Sequence, residues 1–385
     1  MAETCNLSMQ KMKIGILTFH NLDNYGSLLQ AYALSSFFNE NGFDSELINF
    51  NEPNYLEKRG KQIRIVRLLK NFPYLFNSKR KKVAYTAVFA NRSPFSSFRE
   101  EYLKFSKPFL KGTLNTISDY SGLILGSDQV LNPHCLNDAF ALNFDCKCPI
   151  FIYSASVGVN EVNQLHYDYY KHLAKAEKIS CRETDNSRFL EAIASKKIIT
   201  TLDPVLVHDS NFYDVLIKPE KKPHPNSYSL HFLLGNRLEN VKLARYISKQ
   251  HKSEDIITYP TCGDLYFFDK HSMIETDGSF SRLLMNIKNS KLVITDSYHI
   301  MLMAIIYKRE FVFIPKHNND SPSGENTRIT DFLQLVGLEN RFVKCKKDFQ
   351  MVGPIDYSSV YKKLASRKQT SLNYLNSIID RLNSK

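Results

Sequence analysis

Residues Lys13–Phe19 read KIGILTF, and the chain then turns through His20–Asn24 into a run with apolar side chains at Leu28, Leu29, Ala31, Tyr32, Leu34, Phe37 and Phe38. Gly42 closes that run, and Glu46–Phe50, ELINF, follows it. A short apolar stretch, a recurrence every three or four residues and a second apolar stretch predict strand, helix, strand. In such a βαβ unit the helix carries the chain back to the starting edge, so the strands run parallel. A parallel sheet of this kind offers its ligand sites at the carboxyl ends of the strands.

The same rhythm extends outward. Gly122–Leu125 (GLIL) runs into Gly126-Ser127-Asp128-Gln129, and Pro149–Ser154 (PIFIYS) runs into Ala155-Ser156. Lys178–Cys181 leads to Arg182-Glu183 and a helix near Asp185–Ala194, and Lys197–Thr200 leads to Leu202-Asp203-Pro204. Lys218–Ser227, KPEKKPHPNS, interrupts the pattern with three prolines and three lysines, the composition of a linker. The alternation then restarts: strands at Ser229–Leu234, Asp255–Thr258, Lys291–Thr295 and Phe311–Ile314, helices near Asn240–Lys249 and Ser279–Lys288, and a helical end over Ser358–Leu382. The reading is therefore α/β: residues 1–217 as one Rossmann-like domain, 218–227 as linker and 228–385 as a second such domain. The two would face each other across a cleft, an arrangement resembling the GT-B glycosyltransferases.

At 385 residues, with 43% hydrophobic and 12% aromatic side chains, the chain can fill two cores and is not a disordered polymer. No apolar run is long enough for a membrane span, and Met1–Met12 lacks the apolar stretch of a signal peptide, so a cytoplasmic protein is expected. Seven scattered cysteines agree with a reducing compartment. Cys146 and Cys148 are close, but no second pair or histidine stands at zinc-site spacing, so they read as reduced, structural thiols and no metal is expected. The formal charge of +12 suits an anionic partner. Ten of the cations lie between Lys58 and Lys82 without an acid, interleaved with Ile63, Ile65, Val66, Leu68 and Leu69. That segment reads as a solvated basic face or as a peripheral contact with anionic membrane. No nucleic-acid motif accompanies it, so nucleic acid is not an expected partner.

Several strings, in order, resemble the polysaccharide pyruvyl transferase family: Asn24-Tyr25-Gly26 with Leu29-Gln30, Phe98-Arg99 with Tyr102-Leu103, Gly126-Ser127-Asp128-Gln129 with Asn132, Tyr153-Ser154-Ala155-Ser156, Arg182-Glu183, Leu202-Asp203-Pro204, Thr295-Asp296-Ser297-Tyr298-His299, and Arg328-Ile329. The resemblance covers roughly residues 12–342. It departs at Leu131, where the family usually has Trp, and at Ile300, where a glycine usually follows the histidine. It implies transfer of pyruvate from phosphoenolpyruvate to a sugar hydroxyl pair as a ketal, in cell-surface or exopolysaccharide synthesis, without metal or organic cofactor. The acceptor would be a sugar, free or lipid-linked. The alternative within the same architecture is a glycosyltransferase with a nucleotide-sugar donor.

Ketal formation needs an anion clamp for phosphate and carboxylate, an acid for C3 and a base for the incoming hydroxyl. His299, at a strand end of the second domain, suits proton transfer. Arg182, at a strand end of the first, suits forked binding of an anion, with an ion pair to Glu183 or a nearby Asp as the plainer role. Lys316 and Arg328 are further clamp candidates. Asn24, Tyr25 and Gly26 occupy the first strand-to-helix turn, where free N–H groups attract anions. Ser127, Asp128, Gln129 and Ser297 complete the expected substrate-binding set, Asp128 being placed to orient acceptor hydroxyls. Asp296 is expected to cap its helix, and Asp203-Pro204 to shape a turn.

Overall fold

The computed structural model describes residues 11–50, 93–109, 114, 117, 119–135, 137–159, 167–221, 223–235, 237–259, 261, 271–316, 327–351 and 353–384. The basic segment 58–82 and the first ten residues lie outside them.

The opening unit forms as read. Strand β1 spans Lys13–Leu17, helix α1 Tyr25–Glu40 and strand β2 Asp44–Leu47. Helix α2 (Ser93–Tyr102) precedes β3 (Gly122–Leu125), β4 (Ile150–Ala155), β5 (Lys178–Cys181), helix α3 (Thr184–Ala194) and β6 (Ile198–Thr200). These strands form one parallel sheet in the order β2-β1-β3-β4-β5-β6. Their near-continuous burial, complete in β3 and β4, is what a sheet covered on both faces demands.

The second unit comprises β7 (Tyr228–Phe232), α4 (Leu238–Gln250), β8 (Asp255–Thr258), β9 (Met273–Ile274), α5 (Phe280–Asn289), β10 (Leu292–Thr295), α6 (Tyr298–Ile306), β11 (Glu310–Phe313) and α7 (Thr327–Val336). Its parallel sheet runs β11-β10-β7-β8-β9. The two-residue strand β9 escapes the sequence reading because it is too short to show a period.

The last helix, α8 (Tyr357–Asn383), departs from the sequence-based division, which assigned it wholly to the second domain. Its second half packs on the first sheet. Tyr374 Oη donates to Ile152 O at 2.8 Å, Ser371 Oγ accepts from Leu202 N at 2.8 Å, and Arg381 Nε meets Glu177 Oε2 at 2.8 Å. Leu382 also covers Gly122, where a Cβ would come within 2.7 Å of it. The physical reason is an apolar face, Tyr374, Leu375, Ile378 and Leu382, that is buried only if the helix crosses back.

The carboxyl ends of the two sheets face one another, giving two Rossmann-like domains across a cleft, a GT-B-like architecture. One hydrophobic cluster runs through both, joining Leu28, Leu29 and Phe98 to Phe280, Ile300 and Met301. Phe98 stacks on Phe280 with centroids 3.9 Å apart, and Tyr25 Oη donates to Gly278 O at 2.6 Å.

Candidate active site at the facing strand ends

Arg182 follows β5 directly and is 9% exposed, with its side chain deeper still. Its Nη2 lies 2.5 Å from Ser127 Oγ, beyond the end of β3, and 2.6 Å from Asp203 Oδ2, beyond the end of β6. His299, in the first turn of α6, brings Nε2 to 3.2 Å from the same Asp203 oxygen. Two residues 117 positions apart and in different domains thus converge on one carboxylate. The other carboxylate oxygen, Asp203 Oδ1, accepts from Val205 N at 2.9 Å. Asp203 therefore shapes the expected turn and also links Arg182 to His299, a role the Asp-Pro dipeptide hid in the sequence. Burial works against its charge, but Arg182 first and His299 next outweigh it and bring its pKa down to about 2.

Around this triad the charges are dense. Asp128 accepts from Ser27 Oγ at 2.7 Å and Gln129 N at 2.9 Å, and its backbone is held in the left-handed region at φ 69°. Burial would raise its carboxyl, yet His299, Arg182 and Arg328 together hold it below the usual range. The Tyr298 ring lies between two guanidiniums, with Arg182 4.9 Å and Arg328 5.5 Å from its centroid. The Gln129 amide sits 2.8 Å from both Asn132 Nδ2 and Arg328 Nη2. Glu183 accepts from Ser156 Oγ through Oε1.

What these groups leave open is informative. Arg182 Nε and Nη1, Arg328 Nε and Glu183 Oε2 are buried and have no hydrogen-bond partner among the described residues. Buried polar atoms are ordinarily paired, and an unpaired guanidinium edge is costly unless something anionic completes it. Arg182, Glu183, Thr201, Tyr298, Arg328 and Arg367 line one pocket between the domains, so the open donors have a space to face. The broad depression over β5, β6 and α8 is a different matter: there Lys196 and Lys178 are spent on backbone oxygens, Ala174 O at 2.7 Å and Ser377 O at 3.3 Å.

At the start of α1 two of the N–H groups expected to attract an anion are already engaged. Asn24 Oδ1 already takes Gly26 N at 2.8 Å and Ser27 N at 3.3 Å as the helix N-cap. Gly26 has a different task. A Cβ there would fall 2.6 Å from His299 Cγ and 2.8 Å from its Cβ, with Nδ1 closer still, so the missing side chain makes room for the imidazole. Tyr25 is buried among Phe95, Phe232, Tyr259 and Phe280 and tethers the domains. Asp296 likewise does not cap its helix. Ser297 occupies the cap position with its N–H on Thr295 Oγ1 at 3.0 Å, and Asp296 instead accepts from Leu234 N and Gly235 N, at 2.6 and 2.7 Å. Burial raises the Asp296 carboxyl, against the opposing pull of Lys316. Lys316, just beyond the end of β11, lies beside Gly235 in that neighbourhood. Ile300, where the family pattern has glycine, is fully buried in the core face of α6. Besides Asp203, the sequence reading passed over Ser27, whose hydroxyl is one residue beyond the Asn24-Tyr25-Gly26 string and carries no signal of its own.

No helix among the described residues is long and apolar enough to cross a membrane. No curated protein matches the chain in sequence. Among solved structures it is similar to S. aureus MnaA in a UDP co-structure (11% identity, 94% of this chain and 91% of that one, TM-score 0.47). It is also similar to the UDP-GlcNAc 2-epimerase of Neisseria meningitidis bound to UDP-GlcNAc (10%, 92% and 99%, TM-score 0.43) and to the glycosyltransferase SnogD of Streptomyces nogalater (9%, 96% and 99%, TM-score 0.40). The family model for polysaccharide pyruvyl transferase matches residues 24–318, most of the chain and every strand but β1, and the chain belongs to that family.

Proposed function

We propose that this cleft transfers pyruvate from phosphoenolpyruvate to two hydroxyls of a sugar, forming a ketal and releasing phosphate. The observation that carries the reading is Arg182, buried with Nε and Nη1 unpartnered beside the Asp203–His299 pair. A donor with a carboxylate and a phosphate matches these open donors: with Arg182 Nη2 engaged by Ser127 and Asp203, Nε and Nη1 each offer a charge-assisted N–H bond to an anion. Arg182 holds one anionic group, and Arg328, across the Tyr298 ring, is placed for the other.

The reaction adds a proton at C3 of the enol and a hydroxyl oxygen at C2. Phosphate then leaves, and the second hydroxyl closes the ketal. Two hydroxyl protons are released; one balances C3 and the other goes to phosphate or solvent. Asp203 Oδ2, 3.2 Å from Nε2, orients the His299 ring, and His299 is the group assigned the proton exchange with the incoming hydroxyl. No metal or organic cofactor is called on. The acceptor is a saccharide; a lipid-linked one fits the ten cations between Lys58 and Lys82, which would draw the chain to an anionic membrane.

The test is incubation of the purified chain with phosphoenolpyruvate and a panel of sugar acceptors, read by phosphate release and by mass spectrometry of the adduct. His299→Ala should lose about 100- to 10,000-fold in turnover with its fold intact by circular dichroism. Arg182→Lys should restore charge but not the separate donors at Nε, Nη1 and Nη2, giving partial activity and a raised KM for phosphoenolpyruvate. Nucleotide release from a nucleotide-sugar donor, with no use of phosphoenolpyruvate, would sink the reading.

A further inference from the structure

The stretch Phe144–Ile150, FDCKCPI, enters β4 and carries two cysteines that the proposed transfer does not use. Cys146 Sγ and Cys148 Sγ lie 3.1 Å apart, and both residues are half-buried. Of the other described cysteines, Cys135 and Cys181 are buried and Cys345 is far along the chain on the surface. Lys175, exposed, donates from Nζ to Phe144 O at 2.7 Å, which sets an ammonium beside the same loop. Hydrogen bonding from Cys148 chiefly, with Lys175 adding its charge, overcomes partial burial and brings the Cys146 thiol down to about 7. A thiolate near neutrality, solvent access and a second sulfur in reach are the three requirements of a redox-active thiol.

We propose that Cys146 and Cys148 form a thiol–disulfide exchange site, oxidised reversibly by small-molecule disulfides of the glutathione type. The Cys146 thiolate attacks one sulfur of the disulfide, forming a mixed disulfide and expelling one thiolate. Cys148, losing its proton to solvent, then attacks Cys146 Sγ, closes the intramolecular bond and expels the second thiolate. The protein gives up two electrons and two protons, and the small disulfide is reduced to two thiols. With a single residue between them, the two sulfurs need little chain motion for the second step, so it is fast relative to the first. The site sits at the amino end of β4. Ser154 and Ala155, at the carboxyl end, accept from Ser127 Oγ (2.9 Å) and Arg182 N (3.1 Å), so exchange and transfer occupy opposite ends of one strand and can be measured separately.

The experiment uses the reduced full chain at neutral pH with glutathione and glutathione disulfide at stepped ratios, followed by alkylation and peptide mass spectrometry. The peptide holding Cys146 and Cys148 should lose two hydrogens and regain them with dithiothreitol. Cys148→Ser should stop with one glutathione on Cys146. Cys146→Ser should react roughly 3- to 6-fold more slowly, the greater thiolate fraction at Cys146 being partly offset by its lower nucleophilicity. Two thiols that stay freely alkylated in oxidised glutathione overturn the proposal, as does wild-type protein that keeps glutathione on Cys146 without closing. Protection of both thiols by added Zn2+ alone, with no disulfide formed under oxidised glutathione, overturns it in favour of a metal site.

Discussion

The contact between Gly26 and His299 offers a perturbation with two opposed expectations. Gly26 stands in the first turn of α1, where Gly→Ala ordinarily stabilises by up to about 1 kcal/mol through the unfolded chain and helix propensity. Here the added Cβ would sit 2.6 Å from His299 Cγ, whereas ordinary contact begins near 3.4 Å, so the ring must retreat by about 0.8 Å or more. His299 is 6% exposed and packed in the domain interface, which leaves it little room to yield. Overpacking of this kind costs about 1–3 kcal/mol, enough to cancel or exceed the helix gain. The retreat also disturbs the 3.2 Å approach of Nε2 to Asp203, and a misplacement of about 1 Å in a catalytic group costs on the order of 100-fold in rate. Gly26→Ala should therefore lower the urea midpoint and cut turnover about 100-fold, while KM for phosphoenolpyruvate moves less because Arg182 is untouched. Urea unfolding followed by circular dichroism and steady-state phosphate release measure the two effects. A variant that is more stable than wild type with full turnover refutes the contact itself. A less stable variant with full turnover leaves the contact standing and removes His299 from the mechanism.

Three further outcomes follow from the same structure. His20 is buried with its ring on Ile48 O at 3.0 Å, and burial above all holds its pKa down to about 4 from 6.5; the unfolded chain then binds the extra proton between those values, so stability should fall by about 3 kcal/mol as pH drops from 6.5 to 4, and His20→Gln should flatten that window in urea titrations at stepped pH. Asp203→Asn should destabilise the protein at pH 7 by about 3–5 kcal/mol, because it strands the buried Arg182 charge; its carboxyl pKa of about 2 against 3.8 means that wild-type protein retains this contribution above pH 4 and loses it as pH falls towards 2, so a variant as stable as wild type at pH 7 would show that the pair is not holding the cleft. Tyr374→Phe removes the hydrogen bond from α8 to β4 and should lower unfolding stability by about 1 kcal/mol, and an unchanged midpoint would mean that the helix does not dock there.

The amino-acid sequence alone determined most of the secondary structure. GLIL at Gly122–Leu125, KISC at Lys178–Cys181 and Asp255–Thr258 are strands with the bounds read from the sequence, since buried parallel strands are written as unbroken apolar runs between polar turns. The same logic placed Arg182 and His299 at strand ends, because in a parallel sheet every functional loop leaves the same edge. The sequence was less informative wherever a residue's role depends on a partner distant along the chain. Asp203 reads as a turn former until β6 carries it to Arg182 and His299. Gly26 reads as part of an anion-attracting turn until α6 is laid against it, and Asp296 reads as a cap until Leu234 and Gly235 present their N–H groups. The apolar face of Tyr357–Asn383 states that the helix must bury something but not which sheet receives it. Periodicity reports which face is buried; only the tertiary structure decides against what, because that depends on surfaces the chain brings together after its local elements have formed.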